Sequence, residues 1–285
     1  MTNGKVLDSL AAGGRRFENK ICIVAGAGQG IGSATVRRLA QEGGTVVIGD
    51  WVEATANKVC EEVKGIGGDA RVHTGNYQNW EDCQSLMDFT MKTYGRIDVL
   101  VIIVGGTIFS APYQYYTPEQ IVAEVNKSLW PTMWCTRAAL PYMIEQHSGS
   151  IVTLVTHALV GTSRVPYAAS KGGVIGLTTS LCKEIGIHGI RINCVAPSAN
   201  TSSDKVTPRN YNVEHIARSQ VPAEARLERP YDAQGNRSER PLHQGLGREA
   251  RVEEVASAIA FMASDDAGFI TGEVISVGGG ETYPF

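Results

Sequence analysis

Tyr167 and Lys171 stand four residues apart in the stretch that begins at Val165. On a helix, positions i and i+4 share a face, so the phenol and the ammonium can point into one pocket. A free tyrosine titrates near 10, too high for a good base at neutral pH. A nearby cation favours the phenolate and lowers that value. The pair is therefore a candidate acid/base device for moving a hydroxyl proton. The spacing alone is weakly diagnostic, because many helices carry Tyr and Lys on a solvated face.

Upstream lies a turn in which Gly26, Gly28, Gly30 and Gly32 alternate with other residues. The run Lys20 to Ala25 before it is apolar and rich in β-branched residues, the pattern of a buried parallel strand. The run from Ser33 after it reads as a helix ended by Gly43. Strand, glycine turn and helix together form the context of a dinucleotide fingerprint. Glycines let backbone amides approach a pyrophosphate, and the helix N-terminus adds partial positive charge. A second strand, Thr45 to Gly49, ends in Asp50. A carboxylate there can accept from both ribose hydroxyls and would repel a 2′-phosphate. No Lys or Arg follows within a few positions, so NAD is expected over NADP. The competing reading of Asp50 is a cap for the helix from Glu53.

The chain has 285 residues, 43% hydrophobic and 19% charged, enough for one large α/β core. A net charge of −3 argues against a nucleic-acid partner. The apolar runs are far shorter than a membrane span. Residues 1–16 carry Lys5, Arg15 and Arg16 without the apolar core of a signal peptide, and read as a mobile arm. Cys22, Cys60, Cys83, Cys135, Cys182 and Cys194 are scattered singly, without metal spacing. They read as reduced residues of a cytoplasmic protein, and no metal is expected.

Strand and helix patterns then alternate. A helix is expected from Trp80 to Tyr94 and a strongly apolar strand from Ile97 to Val104. A long helix follows from Thr117 to Glu145, bent at Pro131. Strands follow at Ser150 to Thr156, Arg191 to Ala196 and Glu273 to Val277, with helices at Tyr167 and Val252. The fold class predicted is α/β, a single Rossmann-like, doubly wound parallel sheet over 17–285. The polar, proline-broken stretch of about 198–250 reads as a substrate lid.

With these pieces in place, the chain resembles the short-chain dehydrogenase/reductase family from about Phe17 onward. The matching residues are Gly26, Gly30, Ile31 and Gly32 of the turn, Asp50, Asn126, Tyr167 and Lys171, the strand from Arg191 to Pro197, and Ile270 to Gly272. The resemblance implies that Tyr167 is the acid/base and that Lys171 binds the nicotinamide ribose and lowers the tyrosine pKa. It implies that Asn126 holds a relay water and that Thr156, at the family's serine position, orients the substrate oxygen. It places NAD against Gly26, Gln29, Gly30, Ile31 and Gly32, then Asp50 and Trp51, Asn76 and Tyr77, Val104 and Gly105, and Pro197 and Ser198. It also implies a homotetramer, paired through the helices from Thr117 and Tyr167 and through the last strand.

Several positions depart from the family pattern. Its Asn-Asn-Ala-Gly is here Ile102, Ile103, Val104 and Gly105. Its Pro-Gly is Pro197-Ser198, and its adenine-binding aspartate is Asn76. The segments Val104 to Phe109, Ser128 to Cys135, Arg164 to Tyr167 and Thr207 to Asn210 are similar to dehydrogenases of cis-dihydrodiol carboxylates. That similarity implies NAD-dependent oxidation of one ring carbinol, with a β-keto acid that loses carbon dioxide to become a catechol. An anionic substrate needs a cation, and Arg164 and Arg209 are candidates. His157 is a candidate for polarising the substrate, against a structural role. The alternatives are a general secondary-alcohol dehydrogenase or ketone reductase, and a non-catalytic NAD-binding protein.

Overall fold

Strand β1, Ile21–Ala25, is buried along nearly its whole length because helices cover both faces of the sheet it joins. The computed structural model describes residues 14–160, 163–198, 201–202 and 245–281. In chain order the main elements are α1 (Gly30–Gln41), β2 (Thr45–Asp50), α2 (Glu53–Gly65), β3 (Ala70–Thr74), α3 (Trp80–Tyr94) and β4 (Val99–Ile102). Then come α4 (Pro118–Ser128), α5 (Trp130–Gln146), β5 (Gly149–Leu154), α6 (Val165–Ile185), β6 (Ile190–Pro197), α7 (Val252–Ala263) and β7 (Val274–Val277).

The strands form one seven-stranded sheet, parallel throughout, in the order β3-β2-β1-β4-β5-β6-β7. This is the doubly wound architecture predicted from the sequence. Alternate residues of each strand feed two cores. Val24, Ile48, Val101, Val152 and Val195 pack with α1, α2 and α7. Ile23, Val47, Leu100, Ile102, Ile151 and Ile192 pack with α3, α5 and α6. The winding reverses between β1 and β4, and the crevice beyond the C-terminal ends of those strands is where such sheets hold ligands.

Ile102 sits wholly inside the second core, and Ile103 donates its amide to Ala25 O at 2.8 Å. The two isoleucines therefore continue the C-terminal end of a central strand with apolar contacts, and exchanging both polar partners for apolar ones can be nearly neutral.

One expectation changes. The pattern from Thr117 to Glu145 forms two helices, not one bent at Pro131. Leu129 separates them at φ −115°, ψ −53°. Pro131 lacks an amide hydrogen and is accommodated in the first turn of α5 rather than inside a continuing helix. Thr117 caps α4, and its amide is capped in turn by Gln120 Oε1 at 3.0 Å. The expected strand to Thr156 ends at Leu154, so Thr156 lies on the connection beyond it.

Within the expected arm, Arg16 is fixed by Glu42, Nε to Oε2 at 2.6 Å; residues 1–13 lie outside the described residues. Most of the expected lid does too, as does Arg209. At its ends, Thr201–Ser202 pairs in parallel with Ala250–Arg251, which brings the two ends of that segment together. Among the described residues, no helix is long and apolar enough to cross a membrane.

Candidate active site

The glycine turn joins β1 to α1 at the switch point. Gly26 and Gly30 have φ of 85° and 58°, a region that costs L side chains free energy. A Cβ on Gly32 would lie 2.0 Å from Gly26 O, so the first turn of α1 packs directly on the strand end. A Cβ on Gly28 would meet Thr55 Oγ1 at 2.5 Å and the Asp50 carboxylate at 3.0 Å. The turn is thus a bare backbone cradle at a helix N-terminus, the form that fits a pyrophosphate.

Asp50 closes the cradle. Its Oδ2 accepts from Gly28 N at 2.8 Å and its Oδ1 from Val52 N at 3.0 Å. Burial pushes its carboxyl above the ordinary value, and the amides of Val52 and Gly28 pull against that. Asp50 meets the amide at the start of α2, as the capping reading expects, and it also lines the cavity.

One cavity runs from this turn across the ends of β4, β5 and β6. Gly26, Gln29, Gly30, Ile31, Asp50, Trp51, Asn76 and Tyr77 line one part of it. Val104, Gly105, Thr156, Arg164, Tyr167, Lys171, Pro197 and Ser198 line the rest. Gly32 supports the turn by its close packing and is not in the wall. Asn76 Oδ1 accepts from Gln78 N at 3.3 Å. Tyr77 turns its hydroxyl to His73 O at 2.9 Å, so it contributes ring surface.

Tyr167 and Lys171 lie one turn apart on α6, 9% and 3% exposed. Lys171 Nζ donates to Leu154 O at 2.8 Å, and burial pulls its pKa down to about 8. Thr156 is 7% exposed, just past the end of β5, where Val155 N still bonds Val195 O at 2.9 Å. Tyr167, Lys171 and Thr156 therefore share one cleft with the glycine turn.

The family model of short chain dehydrogenase matches residues 20–212, and a second, described as enoyl-(acyl carrier protein) reductase, matches 205–282. The chain belongs to the short-chain dehydrogenase family. As such it is an oxidoreductase enzyme. A 1,6-dihydroxycyclohexa-2,4-diene-1-carboxylate dehydrogenase of Acinetobacter baylyi is 38% identical over 94% of this chain and 98% of its own length. An enzyme of the same description from Pseudomonas putida is 36% identical over 94% of both chains. The structure of a short-chain type dehydrogenase/reductase from Mycobacterium ulcerans superposes with a TM-score of 0.78 at 25% identity, over 93% of this chain and 90% of the other.

Two candidates of this short-chain dehydrogenase stand away from the cavity. Asn126 is not in its wall; α4 turns Glu124, Lys127 and Ser128 inward instead, all buried. His157 faces the opposite way from Thr156. Its Nε2 lies 2.8 Å from Ser276 Oγ and its Nδ1 3.7 Å from Glu281 Oε2. Burial lowers its pKa and the Glu281 charge opposes this, which fits a structural histidine.

Lys127 was not singled out by the sequence. It lines the cavity, and its Nζ lies 5.8 Å from the centroid of the Trp51 ring, a cation–π arrangement beside Asp50. The signal for it was a run of three polar residues at i, i+3 and i+4 on α4, one face of a helix. The tyrosines after Gly106 divide. Tyr113 and Tyr115 are exposed, whereas Tyr116 is buried and donates to Phe109 O at 3.0 Å. Trp130 and Trp134 stack on each other at 5.1 Å and are not in the cavity wall.

Proposed function

We propose that this enzyme oxidises one ring hydroxyl of a cis-dihydrodiol of an aromatic carboxylate with NAD. The observation that carries the reading is the single cavity in which Tyr167, Lys171, Thr156 and Arg164 face the same space as the glycine cradle. The two dihydroxycyclohexadiene carboxylate dehydrogenases, similar over nearly the whole chain, support the substrate class.

When bound, nicotinamide supplies the hydride acceptor. Tyr167 takes the proton of the reacting hydroxyl, and Lys171 supports the phenolate through its charge. Thr156 orients the reacting oxygen. Asn126 on α4 is the expected holder of a relay water, and two residues on from it Ser128 Oγ accepts from Gly106 N at 3.4 Å. Arg164, half-buried at the start of α6, takes the substrate carboxylate in a charge-assisted contact. Arg209 is the second candidate for that contact. Oxidation beside a carboxyl-bearing carbon leaves a β-keto acid. Loss of carbon dioxide leaves its electron pair in the ring, which becomes the catechol. The atoms balance as diol carboxylate and NAD giving catechol, carbon dioxide and NADH.

Asp50 supports NAD over NADP, because a 2′-phosphate would meet its carboxylate. A homotetramer is supported by exposed apolar residues: Val122 on α4, Val165 on α6, and Phe269 before β7. A cytoplasmic location is supported by the free cysteines, all unpaired and all but Cys182 buried. The test is NAD reduction with a carboxylated cis-dihydrodiol against a panel of simple secondary alcohols. Equal efficiency across the panel would move the enzyme to the general alcohol dehydrogenases.

A further inference from the structure

The chain leaves β4 through Gly105 and Gly106, with φ of 137° and 138°, a conformation that L side chains rarely adopt. Thr107 follows and lines the cavity. The chain on both sides of Thr107 is fastened to α4. Gly106 N donates to Ser128 Oγ at 3.4 Å. Ile108 N and Phe109 N both donate to Glu124 Oε1, each at 2.7 Å.

Glu124 is 0% exposed, and its other oxygen, Oε2, is buried without a hydrogen-bond partner. A half-satisfied carboxylate in an apolar setting is costly. Burial pushes its pKa up, against the pull of the two amides and of Lys127 and Arg164. A loop that needed only covering could be covered by Ile108, Phe109, Ala111 and Tyr116, which already form an apolar cluster. What the carboxyl group adds is one oxygen that accepts two short bonds from the amides directly after Thr107, and bonds at both of these amides fix the local geometry. The far side of the loop is fixed as well. Ala111 N donates to Ser163 O at 3.1 Å, and the Tyr116 hydroxyl donates to Ser163 O at 3.2 Å. Ser163 directly precedes Arg164.

A cis-diol brings two hydroxyls, and Tyr167 with Thr156 accounts for one. Among the other hydroxyl side chains of the wall, Thr55 is bonded to Val52 O at 2.9 Å and Tyr77 to His73 O at 2.9 Å. Ser198, one residue past β6 and 4% exposed, is assigned to the cofactor in the reading above. We propose that Thr107 receives the second hydroxyl of the diol and so determines specificity for a vicinal diol, with Glu124 as the positioning residue that holds Thr107 in place. This rests on the substrate reading above.

The measurement is the ratio of kcat/KM for a carboxylated cis-dihydrodiol to that for a cyclic carboxylate with one secondary hydroxyl. Thr107→Val removes the hydroxyl and keeps the shape, and the ratio falls by about tenfold to a hundredfold, the usual consequence of leaving one buried hydroxyl unpaired. Thr107→Ser keeps the ratio. Glu124→Leu, folded by circular dichroism, lowers the ratio similarly, and Thr107→Val on top of it adds little. Glu124→Gln retains an acceptor for both amides and keeps the ratio, which decides the positioning role if the leucine variant does not fold. An unchanged ratio in Thr107→Val, or a lost ratio in Thr107→Ser, overturns the role of Thr107. Full additivity in the double variant, or a lost ratio in Glu124→Gln, overturns that of Glu124. A wild-type enzyme inactive on the diol overturns the substrate reading itself, a different result from either.

Discussion

Lys171 Nζ donates to the carbonyl oxygen of Leu154 at 2.8 Å, and Leu154 is the last residue of β5. The helix that carries Tyr167 is thereby bonded to the strand end that leads into Thr156. Tyr167 and Thr156 therefore share one frame, and Lys171, which supports the phenolate in the proposed mechanism, also builds that frame.

Lys171 leaves a signature in stability. Burial holds its pKa at about 8, below the ordinary 10.5. Below pH 8 the ammonium is charged in both folded and unfolded chains, and folding bears the full cost of burying it. Between pH 8 and 10.5 the unfolded chain binds more protons, so stability rises with pH through this window. Relative to Lys171→Met, the wild type should gain up to about 3 kcal/mol across it, at 1.36 kcal/mol per pKa unit. Denaturant titrations of both proteins at several pH values check this. A difference independent of pH would mean that the ammonium is not buried in solution.

Gly32→Ala should disable cofactor binding more than folding. Its Cβ would fall 2.0 Å from Gly26 O, so the turn must shift where the cradle is formed. Overpacking of this kind costs about 1–3 kcal/mol, which, if it falls on the cradle, is a loss of about fivefold to 150-fold in NAD affinity. Calorimetric titration with NAD measures it, and wild-type affinity in the variant would place the pyrophosphate elsewhere.

Much of the glycine-turn half of the candidate site was legible because it is local. β1, the glycine turn, α1 and Asp50 are set within one stretch of chain, where strand pattern, glycine spacing and helix stop reinforce one another. Tyr167 and Lys171 were legible for the same reason, as a spacing on one helix. Lys127, the neighbour of Asn126, shows what was not. Adjacent residues on a helix point about 100° apart, and α4 buries Glu124, Lys127 and Ser128, so its inner face shows only in the i, i+3, i+4 spacing and not in a simple split of apolar inside and polar outside. Thr156 and His157 likewise take opposite sides of the connection after β5, and only the position of Ser276 on β7 shows which faces away. The break at Leu129 depends on where Pro131 can fit, which the helical pattern from Thr117 concealed.

Cofactor choice should depend on two residues from distant elements. The wild type should prefer NAD. Asp50→Ala removes the carboxylate that opposes a 2′-phosphate and should narrow the preference. Lys127, over the Trp51 ring, is a cavity-lining cation beside that place, so Lys127→Met in the Asp50→Ala background should reduce NADP use more than NAD use. Steady-state kcat/KM values for both cofactors decide it. A wild-type preference for NADP would remove Asp50 from its assigned role.

Arg164 should matter in proportion to substrate charge. Arg164→Met should raise KM for a carboxylated diol by about tenfold to a hundredfold, as a lost charge-assisted contact requires. It should change KM for an uncharged cis-diol far less. Equal effects on both substrates would make Arg164 a structural residue and turn attention to Arg209.

In the proposed chemistry everything turns on Tyr167 taking the hydroxyl proton while NAD is reduced. This step is tested most directly by the initial rate of NADH formation from a carboxylated cis-dihydrodiol by the wild type and Tyr167→Phe, with NAD binding measured separately. The variant deletes one oxygen. It should keep the fold and nearly the full NAD affinity and lose about a hundred- to ten-thousand-fold in turnover. Thr156→Ala should lose less, and Thr156→Ser should stay active. Near-normal turnover by Tyr167→Phe would contradict the mechanism.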